Sequence, residues 1–369
     1  MASWMRMAAV CRRIRRVLPT GLTQQIPAIR TVPTRHAQRG MPTPPAITVD
    51  LALPPRRRWE PIFAWGGRIG RLLAAAGGPS MAALAAREDV MQVVQRLIAA
   101  DHLAEFQGLS AATGVDLRAL LLGNGTYDLV KFGIGCSAFA VDAPGGPLHG
   151  RNLDWYAPDN VLALETLVCR FINAPAGPFT TIGWPGFIGA LSGCAPGRFS
   201  ITLNAAFSAD PPVPRQPVAL LLRRVFEEER SFAGAVDRLS REPISTDCLI
   251  LVAGMRAGDL AVIERTPSRH AVRGPRGGAI HVTNDFVALC PDAAHGPASD
   301  IRQTSCGRFQ RLQELLAHGH PATADAARRL LADPAVQMII TVQRMVFSAA
   351  PGICEVEAVL QDWTGQGPA

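Results

Sequence analysis

One stretch of the 369-residue chain concentrates side chains able to do covalent chemistry. It reads Gly133-Ile-Gly135-Cys136-Ser-Ala-Phe-Ala-Val-Asp, then a Pro/Gly turn, then Leu-His149-Gly-Arg151-Asn-Leu-Asp154-Trp. Alternating apolar residues on both sides of the turn predict a β-hairpin. A turn near Gly145 sets Cys136 opposite Asp154, with Arg151 three residues earlier on the returning strand. A thiol attacks as its thiolate, and a nearby guanidinium favours that form over the free pKa of about 8.5. The carboxylate can orient the nucleophile's other groups. A general base is less evident. His149 shares the strand parity of Arg151 and is the weaker candidate. Cutting the Gly135–Cys136 bond supplies a better one, because the freed α-amine, with a pKa of about 7.7–8.0, sits on the nucleophile's own residue. Gly133 and Gly135 give the backbone freedom such a cleavage needs. On these residues alone, a buried structural cysteine beside an ordinary hairpin ion pair remains open.

The elements that must hold this hairpin follow from periodicity. Residues 1–47 form a basic tail without sustained apolar period, predicted to lie outside the fold, with Met41 as an alternative start. Residues 48–135 read as a mostly helical segment after a short strand at Ile47–Leu53. A helix is predicted over 81–105, then two shorter ones broken at Thr113-Gly114, with Asp116 as an N-cap. From Cys136 to the end, strands dominate. Two helical runs, at 218–241 and 306–319, interrupt them. Runs of strands flanking runs of helices predict an α+β class rather than alternating βαβ units.

Composition excludes several functions. Eight of the 37 basic residues fall in the first 49 positions, leaving 29 against 30 acidic residues. The body is therefore near neutral, and no nucleic-acid partner is expected. Eight cysteines contain no C-x-x-C pair, and His318-Gly-His320 lacks a third ligand, so neither a metal nor another cofactor is expected. The N-terminus lacks the continuous apolar core of a secretory signal. That favours a cytoplasmic location, and a single lysine, Lys131, with abundant alanine, glycine and proline suggests a GC-rich bacterial genome.

The hairpin text, Cys-Ser-Ala-Phe-Ala-Val-Asp with Leu-His-Gly-Arg-Asn-Leu-Asp-Trp, resembles the start of the mature catalytic subunit in the acid ceramidase and N-acylethanolamine acid amidase group. That group belongs to the cholylglycine hydrolase superfamily of N-terminal-nucleophile (Ntn) hydrolases. Three later stretches resemble the family in order: Trp184 to Asn204, Val282-Thr-Asn284-Asp, and Ser305-Cys-Gly-Arg308. The resemblance spans roughly residues 48–365. The Cys-to-Arg interval is one residue shorter than in the family, and Ser-Ala-Phe follows Cys136 where the family has Thr-Ser-Ile.

The resemblance implies a four-layer αββα sandwich with a helical N-terminal small subunit. It implies self-cleavage after Gly135, a Cys136 nucleophile, and Asp154 holding the freed amine. Arg151 would lie beside the thiol or substrate. Asn284 would donate to the oxyanion, with the Asn204 side chain or a backbone N–H at Asn204–Ala205. Arg308 would complete the polar cluster, with Arg302 as the competing position. The implied reaction is hydrolysis of a linear amide in an N-acyl compound, such as an N-acylethanolamine or a ceramide-like lipid, through a thioester. The two cleaved subunits would stay associated, and the apolar helices of the first segment would form an acyl-chain pocket or a membrane-facing rim. An acyltransferase of the penicillin-forming kind, a bile-salt or penicillin V amide hydrolase, and an uncleaved non-catalytic homologue remain alternatives.

Overall fold

A computed structural model describes residues 43–130, 134–289 and 300–361. Most of the basic tail, Met41, Lys131 and Gly133 lie outside the described residues, as does the side chain of Arg302.

The first segment opens with β1 (Ala46–Asp50), followed, after two short 3-10 turns, by five α-helices: α1 (Gly66–Ala85), α2 (Glu88–Leu97), α3 (Ala100–Thr113), α4 (Leu117–Asn124) and α5 (Thr126–Val130). The single helix expected over 81–105 is three pieces. Arg87 (ψ 108°) and Ile98 (ψ 133°) adopt extended backbone, which breaks it twice. The break at Thr113-Gly114 is as expected: Gly114 sits in the left-handed region at φ 71°. Asp116 accepts the Arg118 N–H at 3.0 Å and starts α4.

The remainder begins with the hairpin β2 (Ile134–Val141) and β3 (Leu148–Trp155). After the short helix α6 (Val161–Leu164) come β4 (Leu167–Ile172), β5 (Phe179–Gly183), β6 (Ser192–Ala195) and β7 (Phe199–Ala205). Helices α7 (Val218–Glu228) and α8 (Phe232–Arg241) divide the run expected at 218–241, because Ser231 leaves the helix and caps α8 through the Gly234 N–H. Then follow β8 (Cys248–Ala253), β9 (Leu260–Arg265), β10 (His270–Arg273) and β11 (Ala279–Val282). The chain continues with α9 (Asp300–His318), α10 (Ala324–Leu331), β12 (Thr341–Ser348) and β13 (Ile353–Ala358).

The strands form two sheets, ordered β1-β4-β5-β6-β7-β8-β9-β10 and β11-β2-β3-β12-β13. Their inner faces meet through small and branched residues, Ala138, Ala140 and Val282 from the smaller sheet against Leu249, Leu251 and Val262 from the larger. On the outer face of the smaller sheet, Phe139, Val141 and Val346 pack against Leu312, Leu316 and Leu331 of α9 and α10. On the other side, Phe226 of α7 stacks on Phe179 of β5 and Phe199 of β7. The order is therefore helix, sheet, sheet, helix, as the resemblance implied. Burying both faces of each sheet explains why the central strands read as nearly continuous apolar runs.

The first segment is built into this frame. β1 pairs in parallel with β4, Ile47 opposite Cys169, at the edge of the larger sheet. Glu105 of α3 is fully buried and takes Arg223 of α7 in a two-point ion pair of 2.6 and 2.7 Å, with Arg58 and Trp59 as further donors.

Candidate active site

The hairpin positions the reactive side chains, one residue out of the expected register. Asp154 pairs with Gly135, and Cys136 pairs with Leu153. The strands join at Val141 and Leu148 through residues 142–147, where Gly145 and Gly146 turn the chain at φ 88° and 117°. An even number of loop residues makes paired numbers sum to an odd value, and the one-residue slip changes which face each side chain occupies. Cys136 and Arg151 both point between the sheets, whereas Asp154 shares the outer face with Gly135. Thiol and guanidinium therefore meet side by side, and the carboxylate addresses the Gly135–Cys136 backbone from behind.

Arg151 is completely buried. Its Nη2 donates to the Cys136 sulfur at 3.0 Å and to the Leu203 carbonyl at 2.5 Å. Its Nη1 reaches the Leu191 carbonyl and the Ser192 hydroxyl. The thiol is directed at Leu203 O, 3.7 Å away. Burial pushes the thiol pKa up, against the pull of Arg151. In the uncut chain the sulfur is thus held protonated beside a cation ready to stabilise its anion.

Asp154 is also fully buried, and burial raises its carboxyl despite Arg308, Thr341 and Arg151 nearby. One oxygen accepts the Thr341 hydroxyl at 2.6 Å, and the other has no partner among the described residues. A Cβ at position 135 would lie 3.1 Å from the Met338 sulfur and 3.2 Å from the Asp154 Cβ, so glycine is the residue that fits the junction.

Asn284 and Arg308 close the site around the Cys136 backbone. Asn284 Oδ1 accepts the Cys136 N–H at 3.2 Å and Arg308 Nη2 at 2.8 Å. Two donors on this atom assign it as the oxygen. Its Nδ2 donates one of its two hydrogens to Ala205 O at 2.9 Å, so Asn284 holds the Cys136 amide nitrogen through Oδ1, and donation to an oxyanion would use the second Nδ2 hydrogen. Ser305 fixes the residue by accepting the Asn284 N–H on its side-chain oxygen at 2.9 Å. Arg308 Nη1 donates to Cys136 O at 2.6 Å and to the Ser137 hydroxyl at 2.8 Å. Burial lowers the pKa of Arg308.

Asn204 lies on the inter-sheet face of β7, but its Nδ2 is spent on the carbonyls of Thr283 at 2.9 Å and Val282 at 3.4 Å. It braces the end of β11, just before Asn284. His149 is a core residue: its ring bonds Ser200 and Thr202, each at 2.9 Å, and burial drops its pKa to about 3. The sequence reading gave no role to Thr341, Ser305 and Tyr127, whose hydroxyl lies 3.2 Å from Asn204 O and 3.1 Å from Asp247 O. None belongs to the hairpin motif, and each reaches the site from a distant element.

A largely apolar cavity of about 300 Å³ opens between the first segment and the remainder, reaching the hairpin at Trp155. Leu73, Met81 and Leu122 line one side, and Trp155, Trp184 and Phe187 the other. Trp155 follows Asp154 directly and pairs with Ile134. First-segment helices thus supply one wall of this cavity.

No family model matches the chain. An N-acylethanolamine-hydrolyzing acid amidase of Caenorhabditis elegans is 27% identical over 188 residues, covering 47% of this chain and 53% of that protein. Acid ceramidase of Rattus norvegicus is 26% identical over 251 residues, covering 60% and 63%. The matches thus span between half and two thirds of these curated relatives. Among solved structures, an N-acylethanolamine-hydrolyzing acid amidase ortholog of Caenorhabditis elegans gives a TM-score of 0.48 at 22% identity, covering 58% of this chain and 93% of that one. A conjugated bile acid hydrolase of Clostridium perfringens gives 0.40 at 12%, covering 63% and 93%. The sequence matches are thus to acid ceramidase and N-acylethanolamine-hydrolyzing acid amidase, the group that the hairpin text resembles.

Proposed function

We propose that the chain is a self-activating cysteine amidohydrolase that cuts itself between Gly135 and Cys136 and then hydrolyses the linear amide bond of a fatty-acyl amide. The observation that carries this is the Arg151 guanidinium 3.0 Å from the Cys136 sulfur, with the Asp154 carboxylate set behind the same peptide bond.

In the self-cleavage, the Cys136 sulfur attacks the Gly135 carbonyl carbon, and its proton passes to a neighbouring base. We assign that role to Asp154, which has an open oxygen and a raised proton affinity beside the Gly135–Cys136 backbone. The C–N bond breaks as a proton reaches the Cys136 nitrogen, which Asn284 Oδ1 already holds. Water then hydrolyses the thioester, leaving a Gly135 carboxylate, a free thiol and a free α-amine.

Turnover repeats these bond changes on a substrate amide. The α-amine takes the thiol proton and delivers it to the leaving amine, and water resolves the acyl-thioester. Arg151 balances the thiolate charge in a site where burial magnifies each electrostatic contact. The apolar cavity fits an acyl chain, and relatives named for ceramide and N-acylethanolamine favour a lipid amide. The two fragments stay together in this reading, supported by β1 in the larger sheet and by the buried Glu105–Arg223 pair.

The test is intact mass after incubation at neutral and mildly acidic pH, beside a Cys136→Ala control, followed by assay on N-acylethanolamines and ceramides. Two fragments divided at 135/136 and absent from the control, with amide hydrolysis by the cut form, are the expected result. A chain that stays whole and inert under every condition overturns it.

A further inference from the structure

We propose that Thr341 is a positioning residue for Asp154, fixing which carboxylate oxygen faces the Gly135–Cys136 junction. The inference rests on the self-cleaving reading above and assigns that site a further member from a strand distant in sequence.

The argument begins with a break in pairing. Along β12, Gln343 pairs with Leu153 of β3, but Thr341 rather than Val342 pairs with Asp154, so the ladder is bulged there. A bulge re-aims the side chains beside it and is common next to reactive groups. Here it brings a hydroxyl onto a buried carboxylate. Thr341 Oγ1 accepts the Met338 N–H at 3.0 Å, which leaves its single hydrogen for Asp154 Oδ1 at 2.6 Å. The turn that presents it is closed by Thr341 N on Met338 O at 3.1 Å.

The carboxylate is therefore pinned through one oxygen. The other, Oδ2, has no partner among the described residues and would lie 3.4 Å from a Cβ at position 135. This is the oxygen the cleavage needs free. The charged and titratable groups facing Asp154 are Arg308 of α9, Arg151 of β3, Arg344 of β12 and the Cys136 thiol of β2. Thr341 is the uncharged donor among them, and it orders the carboxylate without adding to its surrounding charge.

The experiment compares the full-length protein with Thr341→Val, which keeps the branched shape and removes the donor, and Thr341→Ser, which restores it. Cleavage is followed by intact mass against time. Cut material is then assayed with a fluorogenic palmitoyl aminocoumarin amide across pH. A hydrogen bond to a charged group predicts that Thr341→Val cuts roughly tenfold more slowly or worse. The acidic limb of its pH–rate profile moves upward, because the ionised carboxylate has lost a partner. Thr341→Ser restores both. A purely structural threonine would lower stability without moving that limb.

Thr341→Val cutting at the unaltered rate with an unaltered limb overturns the proposal and leaves the amidohydrolase reading standing. An unaltered protein that neither cuts nor turns over overturns the reading and the proposal together. Should Thr341→Val not fold, Thr341→Ala against Thr341→Ser decides by the same two readouts.

Discussion

Arg151 and Arg223 are both completely buried, yet they are solvated in opposite ways. Arg223 is surrounded by carboxylates, with Glu105 on two nitrogens and Glu227 on the third, and these partners raise its pKa against the cost of burial. Its charge is neutralised where it stands. Arg151 receives carbonyl oxygens, a hydroxyl and a sulfur. Dipoles hold it, leaving its positive charge available for a negative charge that develops during reaction. Neutralised cations build interfaces, and cations held by dipoles wait for chemistry.

The comparison is broken most sharply at Arg151. Arg151→Met is expected to slow self-cleavage and amide turnover by at least about 100-fold, while the urea midpoint changes little or rises. A large loss of stability with cleavage intact would reverse the assignment. Arg223→Met should do the opposite: it strands Glu105 in the interior at a cost of about 3–5 kcal/mol in unfolding, and pairing it with Glu105→Leu should recover most of that. Recovery absent from the double variant would mean that Arg223 does more than neutralise. Arg308→Met should reduce cleavage by roughly tenfold, since it removes the charged hydrogen bonds to Cys136 O and Asn284 Oδ1.

A change in slope rather than in rate is expected at His102, buried beside Arg223 with its pKa lowered to about 3, chiefly by burial. The folded ring stays neutral where the unfolded ring, near 6.5, takes up a proton. Its contribution is therefore complete above pH 6.5 and is lost as pH falls toward 3, at about 1.4 kcal/mol per unit. His102→Phe should make the decline of stability between pH 6 and 4 shallower by about one proton. An identical slope would show that other groups, such as His149, carry all of it.

Much of this site was legible because it is local. Cys136, Arg151 and Asp154 lie on one hairpin, and strand alternation alone brings them together. The register was missed by one residue because a Pro/Gly turn announces its place more clearly than its length. Thr341 was invisible and Ser305 was read only as the start of the Arg308 stretch: a threonine at a strand start and a serine in a helix acquire their roles only once β12 and α9 are docked. The helix α1 was mostly missed for a related reason. Its Gly-rich text has weak intrinsic propensity, and burial of Ile69, Leu72 and Leu84 compensates. Strand β6, Ser-Gly-Cys-Ala, carries almost no β signal, and its neighbours β5 and β7 impose its conformation.

β1 has a consequence for the cut protein. While residues 46–130 are tethered to the larger sheet through the hairpin, docking β1 beside β4 is a unimolecular event, and stability is independent of protein concentration. Breaking the Gly135–Cys136 bond removes the tether and turns the same contact into an association between two molecules, whose effective concentration falls from millimolar to whatever the solution holds. The mature form would then unfold at a midpoint that rises with protein concentration, whereas the Cys136→Ala chain would not. Dilution would become a slow route to inactivation that the precursor does not share.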